Sequence, residues 1–200
     1  MALTERTIFV GGVLERRWRD DRWSLGGTAT TFMPGIPARR GSLFHKAGIR
    51  AAFRSSRSTE GWALLAVAGI ERASELAPLA IWPGAGEGRA REPLMRAHPL
   101  LDGGTIDLTN QSVFGKVLVD THAEAERWIA SASPVRVGIA AFGDIARASR
   151  RRAPETGSAT QVDIGGGVRL RIPGAGGALR VDVAHGMLDG ADALTVGWQY

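Results

Sequence analysis

Apolar and polar side chains alternate almost without error from Thr160 to Tyr200, in three successive runs. In the first, Val162, Ile164, Gly166, Val168, Leu170 and Ile172 share one face, while Asp163, Arg169 and Arg171 share the other. In the second, Leu179, Val181 and Val183 oppose Arg180 and Asp182; in the third, Leu194, Val196, Trp198 and Tyr200 oppose Thr195, Gly197 and Gln199. Successive Cβ atoms of a strand point to opposite faces, so a period of two predicts strand. A half-buried sheet of a soluble protein satisfies this pattern, and so does a barrel wall with lipid outside and water inside. Full charges of both signs on the polar face, aliphatic side chains on the other and aromatics near strand ends favour the barrel wall.

Read backwards from these runs, the chain contains eight or nine such segments, at about 7–17, 23–33, 46–56, 62–74, 113–128, 134–149, 160–172, 178–186 and 193–200. Their lengths fit tilted membrane strands. The segment 113–128 carries an acidic polar row with Asp120, His122, Glu124 and Glu126, and 134–149 ends its polar row in Phe142 and Asp144. The expected architecture is all-β, one antiparallel transmembrane barrel domain over 1–200. Short connections at 56–61, 129–133 and 173–177 alternate with longer ones at 34–45, 147–159, 186–192 and above all 75–111, as short periplasmic turns alternate with long external loops. Nine strands is an odd number, whereas single-chain bacterial barrels have an even one. Either the chain is the carboxy-terminal part of a longer protein, or its weak first strand is spurious.

Composition narrows the choice. With 27 glycines, 6% aromatics and no apolar run near twenty residues, the chain is unsuited to helical spans and suited to short strands with turns. It has no cysteine, which removes disulfides and thiolate metal sites. Lys46 and Lys116 are the two lysines among 25 basic residues, so the net charge of +5 comes from arginine. Those arginines are spread along strands with acids on the same face, rather than gathered in one stripe with stacking aromatics, which argues against nucleic acid. Residues 1–7 lack the apolar core of a signal peptide, which an exported protein needs.

No catalytic, cofactor or metal site is expected. His122, flanked on its face by Asp120 and Glu124, could act as a base only with a nucleophile at hydrogen-bond distance, and no serine is placed there. Alternate positions on one strand stand about 7 Å apart, too far for these three to converge on one ion. The runs Gly84–Gly88 and Gly165–Gly167 lack the Lys-Ser/Thr ending of a phosphate loop and read as a flexible loop and a thinned strand. Arg147, Arg150, Arg151 and Arg152 would meet lipopolysaccharide phosphates if external, or form a solvated tip.

The order of the carboxy-terminal segments resembles the Omp85 family, also called bacterial surface antigen D15, which includes the BamA and TamA type barrels. Phe142, Asp144 and Ala146 resemble its Phe-x-Asp-x-Gly strand, and Val168 to Pro173 its Gly-x-Arg-x-x-x-Pro strand. Leu179 to Ala184 resemble its penultimate strand, and Val196, Trp198 and Tyr200 its aromatic terminal strand. The likeness covers about the last hundred residues; the first sixty match only as generic strands.

The resemblance implies that this chain is the carboxy-terminal part of a larger, roughly 16-stranded barrel. It also implies that an external loop folds back into the lumen and inserts an arginine, from a Val-Arg-Gly-Phe/Tyr motif, against acids of the inner wall. Met95, Arg96, Ala97 and His98 stand at the corresponding place, with only the arginine kept. A guanidinium fork holds carboxylates well where water is scarce, so Arg96 is expected to pair with Asp144 or Glu124. Asp120, His122, Asp163, Arg169, Arg171, Arg180 and Asp182 are expected to form a charge network on the inner wall. The implied role is assembly or translocation of outer-membrane polypeptides, in the outer membrane, with the bilayer, possible client polypeptides and lipopolysaccharide as partners. The alternatives are a small passive or lipid-modifying outer-membrane barrel and a soluble antiparallel sheet protein.

Overall fold

The computed structural model describes residues 7–34, 43–55, 61–78, 81–85, 95–98, 101–102, 105–106, 113–129, 134–152 and 155–199. Tyr200, the run 86–88 and the side chains of Arg150, Arg151 and Arg152 lie outside the described residues.

Backbone hydrogen bonding joins the alternating segments into one nine-stranded antiparallel sheet. The chain order is β1 (Thr7–Trp18), β2 (Trp23–Pro34), β3 (Phe44–Arg54), β4 (Gly61–Ala73), β5 (Leu101–Asp102), β6 (Thr105–Ile106), β7 (Val117–Ile129), β8 (Arg136–Arg152), β9 (Glu155–Arg171), β10 (Ala178–Gly186) and β11 (Asp192–Gln199). In the large sheet the spatial order is β1-β2-β3-β4-β7-β8-β9-β10-β11, so its strands follow one another in chain order, with β5 and β6 set apart between β4 and β7 as a separate two-stranded pair. No α-helix occurs among the described residues. Among the described residues the edge strands of this sheet are β1 and β11.

One expectation about a loop is corrected. Residues 147–152 and 155–159 are strand rather than loop: β8 runs on to Arg152 and β9 starts at Glu155, the two paired from Ser149–Ser158 outwards to Arg152–Glu155. The alternation of apolar and polar side chains fades there, but backbone pairing needs no side-chain pattern once a register is set. Smaller shifts follow the same rule, β7 beginning at Val117 rather than 113 and β3 at Phe44 rather than 46.

From β4 to β10 the enclosed face of the sheet is largely ionic and the exposed face largely apolar. Among the exposed side chains are Leu14 at 79%, Leu194 at 69% and Val183 at 60%, whereas Asp144, Asp163, Asp182 and Arg169 are at 0%. The described parts of 75–116 pack on the inner face over β3, β4, β7, β8 and β10. Met95, Ala85 and Val113 pack on Leu118, Ala146 and Ala148; Ala77, Trp82 and Phe114 pack on Ala73 and Phe44; Ala97 packs on Phe142 and Ala184. Backbone bonds from Ala85 to Val113 and from Met95 to Ala85 tie the strap together, each at 2.9 Å.

On the exposed face, charges stand only at the two ends of the strands among the described residues. Arg16 and Arg127 lie at the short-turn end, and Arg72, Arg147, His185 and Asp192 at the other. Trp18, Trp23, Phe53, Trp62 and Trp198 gather on this face at the short-turn end, where the Trp23 and Phe53 rings are 4.6 Å apart. Trp198 also donates from its indole to the Gly176 carbonyl at 2.8 Å.

Candidate functional site

Glu124, Asp144 and Asp182 reach the same place because the pleat and the register align three strands. On β7, His122, Glu124 and Glu126 share the inner face; His122 stands opposite Asp144 of β8, and Glu124 opposite Phe142. Gly165 of β9 lies across from Phe142, and Gly167 across from Asp182 of β10. Both glycines are required by what leans over them. A Cβ at Gly167 would fall 2.0 Å from the Asp182 carboxylate, and one at Gly165 would fall 2.4 Å from the Phe142 ring. The glycine run thus makes room for a carboxylate and an aromatic ring.

Arg96 of the strap enters this space and is 1% exposed. Its Nη2 lies 2.6 Å from Glu124 Oε2, its Nη1 lies 3.2 Å from Asp182 Oδ2, and its Nε lies 3.6 Å from Asp144 Oδ2. The guanidinium sits 3.5 Å from the centre of the Phe142 ring, and Nη2 is 3.1 Å from His122 Nε2. His122 Nδ1 also hydrogen bonds Asp144. The structure therefore brings Arg96 to both Glu124 and Asp144, and adds Asp182 and the Phe142 face.

Arg169 completes the network from β9. It spans Glu124 and Asp182, each at 2.5 Å, and approaches Glu126 at 3.5 Å; Arg180 reaches Asp182 at 3.1 Å. Three guanidiniums thus face four carboxylates with little water. Desolvating isolated charges costs several kcal/mol each, about what mutual attraction must return. Each carboxylate here lies within 4 Å of at least one guanidinium nitrogen, Glu124 of two guanidiniums and Asp182 of three.

Next to Arg96, the strap is pinned a second time. The Ala97 amide donates to Asp163 Oδ2 at 2.7 Å; His98 meets Asp163 through Nδ1 and Asp189 through Nε2, both at 2.8 Å. Burial by itself lowers the His98 pKa, but hydrogen bonds and charge from the two aspartates outweigh it and hold the imidazole above its ordinary value. Burial acts to raise Asp189, and the bond from His98 with that from the Ala191 amide brings it below the usual carboxylate value instead.

Not every expected wall residue joins the central network. Asp120 pairs with Arg50 at 3.3 Å, in a cluster where Glu71 also holds Lys46 at 2.9 Å. Asp163 serves the strap's backbone and His98 rather than an arginine. Arg171 lies over the Trp128 ring at 5.5 Å. Val196 and Trp198 occupy the exposed face of β11. The roles of His98, Asp189 and Glu71 have no counterpart in the sequence reading. The one sequence signal for His98 is its place two residues after Arg96; nothing in the sequence brings Asp189, from the β10–β11 turn, to that ring.

The polar side chains paired with His122 are Arg96, Glu124 and Asp144, among the described residues. These groups can hold and orient a cation and lock a strap; none is a hydroxyl nucleophile. No family model matches the sequence, and no curated protein or solved structure does either.

Proposed function

We propose that this chain is part of an outer-membrane β-barrel of the Omp85 type, and that the complete barrel assembles or translocates outer-membrane polypeptides. The observation that carries the reading is Arg96. A strap folded onto the inner face delivers its guanidinium to carboxylates of β7, β8 and β10 and to the ring of Phe142.

The inverted faces support a bilayer setting. On β8 the exposed row from Val137 to Ile145 is uncharged and ends at Arg147. That stretch measures about 27 Å along the strand and roughly 20 Å once tilted by about 40°, near the apolar band of such barrels. Outward aromatics at the short-turn end are placed like an interfacial girdle. Because the strands alternate in direction and number nine, the edges β1 and β11 run parallel to each other. Antiparallel closure then calls for an odd number of additional strands, as in an even-numbered barrel. The edge of β11 would offer unpaired backbone groups to an incoming strand.

In this reading the inner charges have a structural task and the chain catalyses no reaction. The test has two parts. Heat-modifiable gel migration of the detergent-purified protein should reveal a folded barrel. Reconstitution of the full polypeptide in liposomes should then accelerate the membrane folding of an added, urea-unfolded barrel protein. A heat-modifiable protein with no effect on client folding would leave a passive barrel in place of an assembly factor.

A further inference from the structure

On the exposed face of β1 to β4, a cross-strand row of mostly small residues lies beside a bulkier one that is interrupted by a glycine. One runs Gly12, Ala29, Ala47, Arg72, and the next runs Leu14, Gly27, Ile49, Ile70. Together they shape a groove of about 570 Å³ whose floor is the small residues, whose wall is Leu14, Ile49 and Ile70, and whose end is Arg72. The floor is open. A Cβ built on Gly12 would meet nothing within 4 Å, and one on Gly27 would meet only the Gly48 carbonyl at 4.0 Å.

Arg72 is the odd member. Its neighbour Glu71 turns to the inner face and holds Lys46 and Arg50, whereas Arg72 is exposed and has no ion-pair partner among the described residues. It lies where the uncharged band ends. One row further toward the same rim, Thr31 and His45 are hydrogen bonded at 3.0 Å, so the groove runs from hydrocarbon-like walls to a polar shelf.

We propose that this groove seats an acyl chain of an anionic phospholipid whose phosphate is held by Arg72. The inference rests on the membrane-barrel reading. Its volume falls within the size range of small-molecule sites, roughly 300–1,000 Å³, and its apolar lining with one polar end matches the layout of an amphiphile. A guanidinium offers a phosphate two parallel hydrogen bonds, stronger at the edge of a bilayer than in open water. A protein segment would need partners for its backbone groups, which these apolar walls do not supply.

The experiment is lipid retention by native mass spectrometry, with the full polypeptide purified in mild detergent and offered phosphatidylglycerol or phosphatidylcholine. The wild type should keep phosphatidylglycerol about tenfold better than phosphatidylcholine. Arg72→Gln should bring the two close to equality, and Gly27→Leu, which fills the floor, should abolish retention of both while heat-modifiable migration stays intact. Equal retention by the wild type and both variants would overturn the proposal and leave the barrel reading standing. A Gly27→Leu variant that lost a dimer seen in the wild type would assign the groove to a second copy, and so overturn it too. Protein that stays soluble and monodisperse without detergent would overturn both readings.

Discussion

Arg96 and Glu124 come together at 2.6 Å, one from the strap between β4 and β7 and one from the inner face of β7, and both side chains are almost wholly enclosed. The pair joins two parts of the fold that share no backbone ladder. Replacing Arg96 by Ala would leave Glu124, Asp144 and Asp182 short of a counter-charge. Removing one partner from a buried ionic cluster costs about 3–5 kcal/mol. The R96A protein should show a lower urea midpoint and faster proteolysis within 75–116, and R96K should recover only part of the loss because an ammonium lacks the planar fork.

The Phe142 ring is a separate contribution to the same cation. Phe142→Leu keeps an apolar side chain and removes the π face that Arg96 sits on at 3.5 Å. A desolvated cation–π contact is worth about 2 kcal/mol, so the stability loss should be of that order. In Arg96→Ala, which lacks the cation, F142L should cost markedly less; an unchanged cost in a double-mutant cycle would show that packing alone is at stake.

The strap should respond to pH through His98. The two aspartates raise its pKa in the folded state above the ordinary 6.5, against the opposing effect of burial. A raised folded value means that its contribution is complete below the unfolded pKa and is lost as pH rises through the folded one. Asp189 acts in the opposite sense: its folded value is below 3.8, so its contribution is present above that figure and is lost in stronger acid. The strap should therefore be held best in mild acid. Proteolysis within 75–116, with a protease whose own pH response is calibrated, should increase as pH rises above the ordinary imidazole value of 6.5. His98→Phe should flatten that rise.

Gly167 and Gly12 should give opposite results although both are strand glycines. A methyl group on Gly167 would collide with the Asp182 carboxylate at 2.0 Å and with the Val181 carbonyl at 2.3 Å, while one on Gly12 meets open space. Gly167→Ala should lower stability by about 1–3 kcal/mol or more, the usual range for overpacking. Gly12→Ala should change the urea midpoint little.

A charge on the exposed face distinguishes bilayer from water. Ile139 is 50% exposed within the uncharged row of β8. Arginine there should cost about 2–4 kcal/mol when the protein is folded in lipid bilayers, the figure for a barrel midplane. In a water-soluble sheet the same I139R change would stay within about ±0.5 kcal/mol. Folding titrations in liposomes measure the difference directly.

How much of this was legible beforehand depends on range. Strand positions could be read because the pleat is local: each side chain's face follows from its own parity, and Asp163, Arg169, Arg180 and Asp182 all lie on the face their alternation assigns. The ends of β8 and β9 could not, since residues 147–152 and 155–159 are held by a backbone ladder that leaves no mark in hydropathy. Arg96 could be singled out only through a resemblance, because nothing near it in the chain hints at Glu124 or Asp182.

The sequence by itself determined that the chain makes antiparallel strands with one ionic and one apolar face, since a period of two is a property of consecutive residues. Only the tertiary structure decided which ions meet. Register set Gly165 under Phe142 and Gly167 under Asp182, and the return of the strap placed His98 between Asp163 and Asp189. Coulomb attraction between such groups depends on separation in space and on the water excluded between them, and neither quantity exists until the chain has closed over its own charges.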